Sequence, residues 1–437
     1  MADPGLERAP EPMIYLTFTD RYSGVYQSQV IDVARYLRSR FSVRVRVVAI
    51  VSVREFLRER SRLRSAAPET LVVPMVPGVR NWRWNALPLA LIAMVLGERV
   101  VIGRSEFATG IGLLLRRIGL VDRVVFDGRS ARMAEVQEYQ NVSDRPFLPD
   151  EVRKWEATAV RESDFRLAVS SRLVAYWRGT LGYTGNEHVV IPCTLPLPGG
   201  GHAPPTRPAR HELGFEPEQA VIAFSGSSAG WHSFGLMDRF LAQVLETDPR
   251  VSVFLLSDVR TDGLEICRRF GDRVVQKWVA PSVVRDHLAA CDYGLLLRED
   301  SLTNRVASPT KFAEYLSAGL DVLISEDLGD LSSFVRQHEC GIIIDPGADL
   351  PGLAPRTPER RERNRRLALE HFDKSAHDAS YGRLLRSVGV DPDHTGQVRG
   401  FGLGLYYTRK FISEHGGRLQ IDSEPGKGTR VTVSLPM

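Results

Sequence analysis

The sequence predicts an α/β protein with two consecutive domains, each a parallel β-sheet with helices on both faces, followed by a short α+β tail. Three observations predict this organisation. The 437 residues are too many for one ordinary hydrophobic core. Short apolar segments alternate with helical patterns in two separate sets, which is typical of parallel sheets. A segment rich in proline and glycine divides the two sets, as expected of a linker.

The first set of elements covers residues 13–191. Its predicted strands are short apolar runs at 13–18, 43–50, 71–76, 99–102, 123–126 and 165–169. Helical patterns occur at 26–37, 54–64, 86–97, 151–162 and 171–181. The segment 86–97 is the longest nearly uniform apolar run, and it is far shorter than the roughly 20 residues that span a bilayer. We expect it to form a buried helix, with contact to a membrane as the alternative.

Residues 192–211 form the predicted linker, which contains six prolines and three consecutive glycines. The second set of elements covers residues 212–375. Its predicted strands lie at 220–225, 251–256, 272–275, 293–297, 322–325 and 341–344. Helices are expected up to 245 and at 281–290 and 310–318. Residues 356–389 are expected to be mostly helical and strongly charged, and 376–395 form a C-terminal helical segment.

The composition fits a soluble cytoplasmic protein, with 43% apolar and 25% charged residues. The first twelve residues are polar and rich in proline, unlike a secretory signal. The four cysteines are scattered without a CxxC pair. That spacing favours a reducing cytosol and indicates neither a disulfide framework nor a metal site.

The net charge of +4 is unevenly distributed along the chain. Residues 1–200 hold 28 Lys and Arg against 21 Asp and Glu, whereas the remaining residues hold 29 against 32. The basic N-terminal half predicts either a solvated arginine-rich surface or peripheral contact with an anionic membrane or acceptor. Because no basic stripe with interleaved aromatic residues occurs, nucleic acid is not an expected partner.

A turn of small residues follows the predicted strand at 220–225 and precedes a helix. Its candidate ligand-binding residues are Ser225, Gly226, Ser227, Ser228 and Gly230. Small side chains let backbone amides approach a phosphate, and the N-terminus of a helix adds partial positive charge. A plain strand–helix turn is the alternative interpretation.

The segment 292–329 brings a series of polar residues to the end of one strand. They are Arg298, Glu299, Asn304, Arg305, Ser308, Pro309, Thr310, Lys311 and Glu314. Because ligands of open α/β sheets bind outside the carboxyl ends of the strands, we expect these residues to line one rim. Pro309 suits a helix start that Ser308 or Thr310 caps.

The chemistry of this rim suits a nucleoside diphosphate. A carboxylate such as Glu314 can accept hydrogen bonds from two adjacent ribose hydroxyls. Arg298, Arg305 or Lys311 can neutralise a diphosphate leaving group as its charge develops. The alternative interpretation is a capped, solvated helix face.

The first half contributes fewer candidates. Gly24 follows the first strand and is expected to face ligand phosphates. Arg129 and Glu135 follow the strand at 123–126, where a functional role and a structural turn are equally favoured. Trp82 and Trp84 suit stacking on sugar rings, although packing is the favoured interpretation.

Four segments resemble a known family. SPTKFAEYLSAGLDVLISE (308–326) resembles the donor-nucleotide motif of family 4 glycosyltransferases with the two-domain GT-B architecture. FSGSSAGWHSF (224–234) resembles the glycine turn of the same donor domain. YSGVYQSQVIDVARYL (22–37) and FDGRSARMAEVQEY (126–139) resemble the acceptor domain of members that build bacterial saccharides.

The resemblance extends over roughly residues 13–390. It implies two Rossmann-like domains that face a cleft. It also implies a metal-independent transfer, with retention, of a sugar from a nucleotide-diphosphate sugar held mainly by the C-terminal domain. Glu314 matches the family glutamate that binds the ribose.

The sequence departs from the family pattern at two positions. The family's first glutamate of a pair eight residues apart corresponds to Val306 here, and Glu299 is a candidate substitute. The family often places a histidine near the transferred sugar in the N-terminal domain, but all ten histidines lie at or after His188. Arg104 is the candidate for that region. With Arg298 and Lys311, it completes the expected catalytic set.

The tail 396–437 resembles the last part of the ATP-binding domain of a sensor histidine kinase. Its glycines at 400, 402 and 404 resemble the second glycine box, and a helix and a β-hairpin are expected to follow. The magnesium-binding asparagine helix, the adenine box and the phosphoacceptor helix of such kinases have no counterpart in the sequence. We therefore expect an appended fragment without ATPase activity.

The leading hypothesis is a hexosyltransferase that uses a nucleotide-diphosphate sugar and no cofactor. Its acceptor is expected to be a saccharide or a lipid-linked acceptor in polysaccharide or envelope glycan synthesis. A nucleotide-sugar 2-epimerase of the same fold is one alternative. A signalling module, with the kinase-like tail as its working part and the front half as a sugar sensor, is the other.

Overall fold

The computed structural model describes residues 13–139, 149–197, 205–226, 234–257, 263–345, 352–390, 418–424 and 428–434. The chain divides into two compact units, Met1–Pro392 and Asp393–Met437. The larger unit contains two parallel sheets, and the smaller unit contains a two-stranded hairpin.

The first sheet has seven parallel strands. They are β1 (Met13–Phe18), β2 (Val45–Ser52), β3 (Leu71–Met75), β4 (Val100–Arg104), β5 (Arg123–Gly128), β6 (Phe165–Ala168) and β7 (His188–Val190). Their order is β3-β2-β1-β4-β5-β6-β7. The chain order therefore reverses between β1 and β4, which is the point where such sheets bind ligands. All six residues of β1 are buried, because helices cover both faces of the sheet.

The helices of the first domain connect these strands. They are α1 (Gly24–Tyr26), α2 (Asp32–Phe41), α3 (Phe56–Ala66), α4 (Ala86–Leu96), α5 (Ser105–Arg117), α6 (Arg132–Glu138), α7 (Pro149–Glu162) and α8 (Ser171–Thr180). A π-helical turn, Gln27–Ile31, joins α1 to α2, and the helix predicted at 26–37 is therefore three segments. The sequence did not predict α5, α6 or β7.

The second sheet has six parallel strands. They are β8 (Ala220–Ser225), β9 (Val251–Leu256), β10 (Val274–Gln276), β11 (Tyr293–Leu296), β12 (Asp321–Ser325) and β13 (Gly341–Ile344). Their order is β10-β9-β8-β11-β12-β13, so the reversal falls between β8 and β11. The six strands predicted for this half are all present. Both sheets have the α/β architecture that the sequence predicts, with a reversal point in each.

The second set of helices begins after β8. They are α9 (Phe234–Thr247), α10 (Glu265–Arg269), α11 (Val284–Leu288), α12 (Leu302–Arg305), α13 (Thr310–Ser317), α14 (Leu331–His338), α15 (Pro358–Phe372) and α16 (Asp378–Ser387). Phe372 at the end of α15 belongs to the core of the second domain.

The last helix, α16, returns to the first domain. Tyr381, Leu384 and Leu385 are buried in the same apolar cluster as residues of β1 and α2. The Asp378 carboxylate accepts hydrogen bonds from the Tyr36 hydroxyl and from Arg40 Nε. The chain thus passes from the second domain back to the first, and α16 packs against the first domain.

The helix in residues 86–97 is buried on one side only, whereas the sequence predicts a buried helix. The helix forms as predicted, and Leu89, Ala90 and Ala93 are buried, but Leu87 and Leu91 on the opposite face are exposed. None of the described helices is long and apolar enough to cross a membrane. Trp82 is buried as packing predicts, whereas Trp84 is exposed.

The smaller unit is described only by its hairpin. Strands β14 (Arg418–Glu424) and β15 (Gly428–Ser434) pair antiparallel, with Arg418 opposite Ser434. These bounds confirm the hairpin predicted for the tail. The predicted helix before it lies outside the described residues.

Candidate functional site

The glycine turn follows the end of β8. Ser225 is buried, and its backbone N–H donates to the hydroxyl of Tyr315 on α13, 3.0 Å away. Gly226 follows at the strand end. Ser227, Ser228 and Gly230 lie outside the described residues. Ser225 and Gly226 therefore occupy one side of the reversal point of the second sheet.

Arg298 follows β11, on the other side of that reversal point. Its backbone N–H donates to Ser325 Oγ at the end of β12 (2.8 Å), and the same Oγ donates to the Arg298 carbonyl (2.9 Å). The side chain is buried, and burial lowers the pKa of its guanidinium to about 10. The group therefore remains cationic at neutral pH, in surroundings where an anionic ligand would interact with it strongly.

Lys311 and Glu314 lie one turn apart on α13. Lys311 Nζ is 2.7 Å from Glu314 Oε2, and both side chains are about a quarter exposed. The helix N-cap is Pro309 without a side-chain hydrogen bond, so the cap predicted from Ser308 or Thr310 is wrong. Ser308 Oγ instead accepts the backbone N–H of Cys193 (3.0 Å), a residue of the segment that follows β7.

The remaining rim residues have different environments. Glu299 is exposed, and Arg305 forms an exposed ion pair with Asp300. Asn304 is buried, and its Nδ2 donates to the Tyr139 hydroxyl (3.1 Å) and to the Glu299 carbonyl (2.9 Å). Among these three predicted ligand residues, Asn304 forms a hydrogen bond between the two domains, through the Tyr139 hydroxyl.

Val306 occupies the position where the family places its first glutamate. It is buried in an apolar cluster with Phe126 and Trp177 of the first domain. Its carbonyl accepts a hydrogen bond from Ser170 Oγ (2.7 Å). The apolar side chain therefore contributes packing between the domains, which a glutamate at this position would disrupt.

Arg104 ends β4, at the reversal point of the first sheet. Its guanidinium lies between two carboxylates, 3.9 Å from Asp20 Oδ1 and 3.8 Å from Asp127 Oδ2. Asp127 is fully buried, accepts from the Tyr15 hydroxyl and pairs with Arg129 Nε at 2.7 Å. Arg129 is therefore part of a buried charge network below Arg104.

Gly24 begins α1, close to the end of β1. The N-cap is Ser23, whose Oγ accepts the Tyr26 N–H at 3.2 Å. A Cβ at Gly24 would meet nothing within 4 Å in the described chain, so local packing imposes no need for glycine. Gly24 thus follows β1 and Arg104 ends β4, the two strands between which the first sheet reverses. Gly226 and Arg298 follow the corresponding strands of the second sheet.

The two domains also cap each other's helices. The Glu138 carboxylate of the first domain accepts the backbone N–H groups of Leu302 (2.8 Å) and Thr303 (3.0 Å) at the start of α12. The Asp330 carboxylate of the second domain accepts the backbone N–H of Ser171 (2.6 Å) at the start of α8. Neither carboxylate could be predicted from the sequence, since capping between domains leaves no local pattern.

The described part of the chain contains no cluster of three or more His, Cys, Asp or Glu side chains arranged to hold a metal ion.

Comparison with solved structures identifies the fold as GT-B. HepE from Anabaena, solved in complex with UDP, matches with a TM-score of 0.64 at 14% identity, over 86% of this chain and 100% of that one. Sucrose-phosphate synthase from Thermosynechococcus elongatus matches with a TM-score of 0.59 at 14% identity, over 87% and 99%. A UDP-N-acetylglucosamine 2-epimerase from Listeria monocytogenes matches with a TM-score of 0.50 at 10% identity, over 93% and 97%.

The C-terminal residues match a different family. The model of the histidine kinase-, DNA gyrase B- and HSP90-like ATPases matches residues 349–437. Sporulation kinase E of Bacillus subtilis is 45% identical over 74 residues, which are 16% of this chain and 10% of the kinase. The chain spans about a tenth of the length of the curated relatives it matches. Residues 352–390 of the matched segment belong to the larger unit, where they include α15 and α16.

Proposed function

We propose that the chain is a glycosyltransferase that moves a hexosyl group, with retention and without a metal, from a nucleotide-diphosphate sugar. The proposed acceptor is a saccharide or a lipid-linked saccharide of polysaccharide or envelope glycan synthesis. One observation carries the proposal: candidate residues follow the strands at the reversal point of both sheets. Ligands of open α/β sheets bind at this point, and UDP in the HepE structure supports a nucleoside diphosphate as the leaving group.

The donor side of the mechanism rests on Arg298, Lys311 and Glu314. As the bond from the anomeric carbon to the diphosphate breaks, its electrons pass to the diphosphate oxygen. The acceptor hydroxyl oxygen bonds to the anomeric carbon on the same face, and its proton passes to the departing diphosphate. The buried Arg298 and the partly exposed Lys311 stabilise that charge, because cations already held in place act on charge as it develops. Glu314 accepts hydrogen bonds from the ribose and, through its ion pair, holds Lys311 at the rim.

The acceptor side rests on Arg104 and Gly24. Arg104 forms ion pairs with Asp20 and Asp127, so its charged group lies at the end of β4. We propose that it orients the transferred sugar or the acceptor hydroxyl. Positioning of two bound substrates in one geometry supplies a large part of the rate of a transfer reaction. Gly24 leaves room for the donor phosphates to approach the backbone.

Two other functions are alternatives to this proposal. A nucleotide-sugar 2-epimerase would share the fold, and the match to the Listeria monocytogenes epimerase favours it as a candidate. The epimerase would convert a nucleotide sugar without any acceptor, which proton NMR of the sugar detects. A signalling module would bind ATP through the tail, which the match to the ATPase family favours.

The deciding experiment is thermal-shift and calorimetric binding of UDP, GDP, ADP and ATP to the full chain. We expect one nucleoside diphosphate to bind preferentially and Glu314→Ala to weaken that binding at least about tenfold. The matched control is Glu362→Ala, which removes an exposed ion pair of the same i,i+3 spacing on α15. Binding of ATP alone, retained in Glu314→Ala and lost on deleting residues 396–437, would overturn the proposal and favour the signalling module.

A further inference from the structure

Helix α4 presents a large apolar face to solvent. Leu87, Leu91, Met94 and Val95 are 59% to 74% exposed. At about 100° per residue these four positions fall within a stripe about 100° wide, and the buried Leu89, Ala90 and Ala93 lie on the other side. The helix is therefore apolar on both sides, although only one side packs on the sheet.

Two further exposed apolar side chains extend this surface. Val76 and Trp84 are each 60% exposed. Asn85 joins the segments that carry them, because its Oδ1 accepts the Val76 N–H at 3.2 Å and its Nδ2 donates to the Pro77 carbonyl at 3.3 Å. We call the resulting surface the α4 face: Val76, Trp84, Leu87, Leu91, Met94 and Val95.

The charged residues in the segment that carries the α4 face are both basic. Residues 71–97 contain no acidic residue, and their charged residues are Arg80 and Arg83. Both side chains are exposed, and both precede Trp84 in the chain. Arg83 pairs with Glu151 and lies 5.4 Å from the centre of the Trp82 ring. An apolar stripe with tryptophan and arginine at its border is typical of helices that lie in a membrane interface.

We propose that the α4 face docks the protein on the surface of an anionic phospholipid bilayer. The apolar side chains enter the boundary between headgroups and acyl chains, while Arg80 and Arg83 contact the anionic headgroups. Charge complementarity favours a bilayer over a second copy of this chain, because the same basic residues would border the face on both copies. The excess of basic residues in the N-terminal half, 28 against 21 over residues 1–200, acts in the same direction.

This inference goes beyond the proposed transfer reaction and uses none of its residues. α4 connects β3 to β4, and β4 ends at Arg104 on the acceptor side of the cleft. A bilayer bound at the α4 face would therefore lie on the domain proposed to receive the acceptor. If that acceptor is lipid-linked, docking would place the protein and its acceptor on the same bilayer surface.

The test is flotation of the full chain with vesicles of phosphatidylcholine, alone or mixed with phosphatidylglycerol. We expect binding to the mixed vesicles, weaker binding to phosphatidylcholine alone, and a loss of at least about tenfold in the double variant Leu91→Glu/Met94→Glu. The control is Leu57→Glu on α3, which also replaces an exposed leucine of the first domain and should bind vesicles as the unaltered chain does.

Three results would overturn the inference. They are no flotation of the unaltered chain, equal flotation of the double variant, and an equal loss in Leu57→Glu. Light scattering that shows a dimer dissociated by the double variant, without vesicle binding, would identify a second copy as the occupant instead. Thermal shift with UDP on the same preparations confirms that each variant is folded, so failure of docking and failure of donor binding are distinguished.

Discussion

The hydroxyl of Tyr315 accepts the backbone N–H of Ser225 at 3.0 Å and donates to the carbonyl of Leu295 at 3.3 Å. A single side chain of α13 thereby joins the ends of β8 and β11, the two strands that flank the reversal point. Gly294 makes this possible, since a Cβ there would lie 2.2 Å from the Tyr315 ring. Glu314 precedes Tyr315, so the same hydroxyl sets the position of Glu314 relative to the end of β8.

Tyr315→Phe is expected to weaken nucleotide binding without contacting the nucleotide. The substitution leaves the N–H of Ser225 buried and unpaired, which costs about 1–3 kcal/mol. The strand end and Glu314 then lose their fixed separation. Titration calorimetry with UDP should show weaker binding together with a lower melting temperature.

A matched tyrosine separates positioning from general stability. The Tyr293 hydroxyl of β11 is also hydrogen-bonded, to the carbonyl and the N–H of Ala354, away from Ser225. Tyr293→Phe should lower the melting temperature similarly and leave UDP affinity unchanged. Equal losses of UDP affinity in both variants would show that Tyr315 acts through stability alone.

Arg298→Met is expected to lower nucleotide affinity while leaving the unliganded protein at least as stable. Burial lowers the pKa of the Arg298 guanidinium to about 10, so the charged form of Arg298 destabilises the folded protein. A bound diphosphate, in contrast, would interact favourably with that charge. Methionine keeps most of the apolar volume. We expect about 10- to 100-fold weaker UDP binding, the range for loss of a charge-assisted contact.

Arg305→Met provides the contrast, because this exposed arginine pairs with Asp300 at the surface. Exposed pairs contribute about 0–1 kcal/mol, so little change is expected in affinity or melting temperature. If Arg305→Met weakens UDP binding as much as Arg298→Met does, burial does not decide which arginine meets the diphosphate.

The strands could be predicted well from the sequence because both sheets are buried on two faces. Runs such as the MIYLTF of β1 and the AVIAFS of β8 are mostly apolar and fully buried. Helix α5 was missed because Gly110 and Gly112 interrupt its pattern. These glycines fit close packing, since a Cβ at Gly110 would meet Trp82 at 2.7 Å.

The site could be predicted only where its residues follow strands. Arg298 and Arg104 were found because the end of a parallel strand marks the crevice. The positioning groups were missed because their partners are distant in sequence: Tyr315 contacts Ser225, and Glu138 contacts Leu302. The exposed side of α4 was missed for another reason. Its residues are as apolar as those of a buried helix, and only the packing of the sheet reveals which side is covered.

Glu156 is expected to make stability depend on pH in a direction opposite to that of an ordinary acidic residue. It is fully buried, accepts the N–H groups of Arg132 (2.8 Å) and Met133 (2.9 Å), and burial raises its pKa to about 7 from 4.5. The folded state binds the Glu156 proton more tightly than the unfolded state does. Protonated Glu156 therefore stabilises the fold fully below about pH 4.5, and this stabilisation is lost as the pH rises to about 7. The loss is about 3 kcal/mol at 1.36 kcal/mol per pKa unit.

Glu156→Gln should therefore reduce the fall in melting temperature between pH 5 and pH 7.5, as scanning fluorimetry measures. Glu162→Gln alters an exposed residue of the same helix, paired with Arg117, and should leave the pH profile unchanged. A profile of Glu156→Gln that is parallel to that of the unaltered chain would mean that Glu156 does not titrate in this range.

Glu138→Ala and Asp330→Ala are expected to loosen the contact between the two domains. Each carboxylate caps the first turn of a helix in the other domain, and loss of such a cap costs about 0.5–2 kcal/mol. Since both hold the same interface, the losses should couple, with the double variant destabilised by less than the sum of the single ones. Small-angle scattering should show a larger radius of gyration in each variant.

Arg172→Ala tests whether capping, rather than any polar contact, holds the interface. Arg172 pairs with Asp327 across the same boundary, but both side chains are well exposed, at 39% and 47%. The pair should therefore contribute about 0–1 kcal/mol, and the radius of gyration should not change. An expansion in Arg172→Ala equal to that in Glu138→Ala would assign the effect to surface charge. Expansion in the two capping variants alone would indicate that the domains separate by releasing the first turns of α8 and α12, which is where a closing motion over bound donor would have to begin.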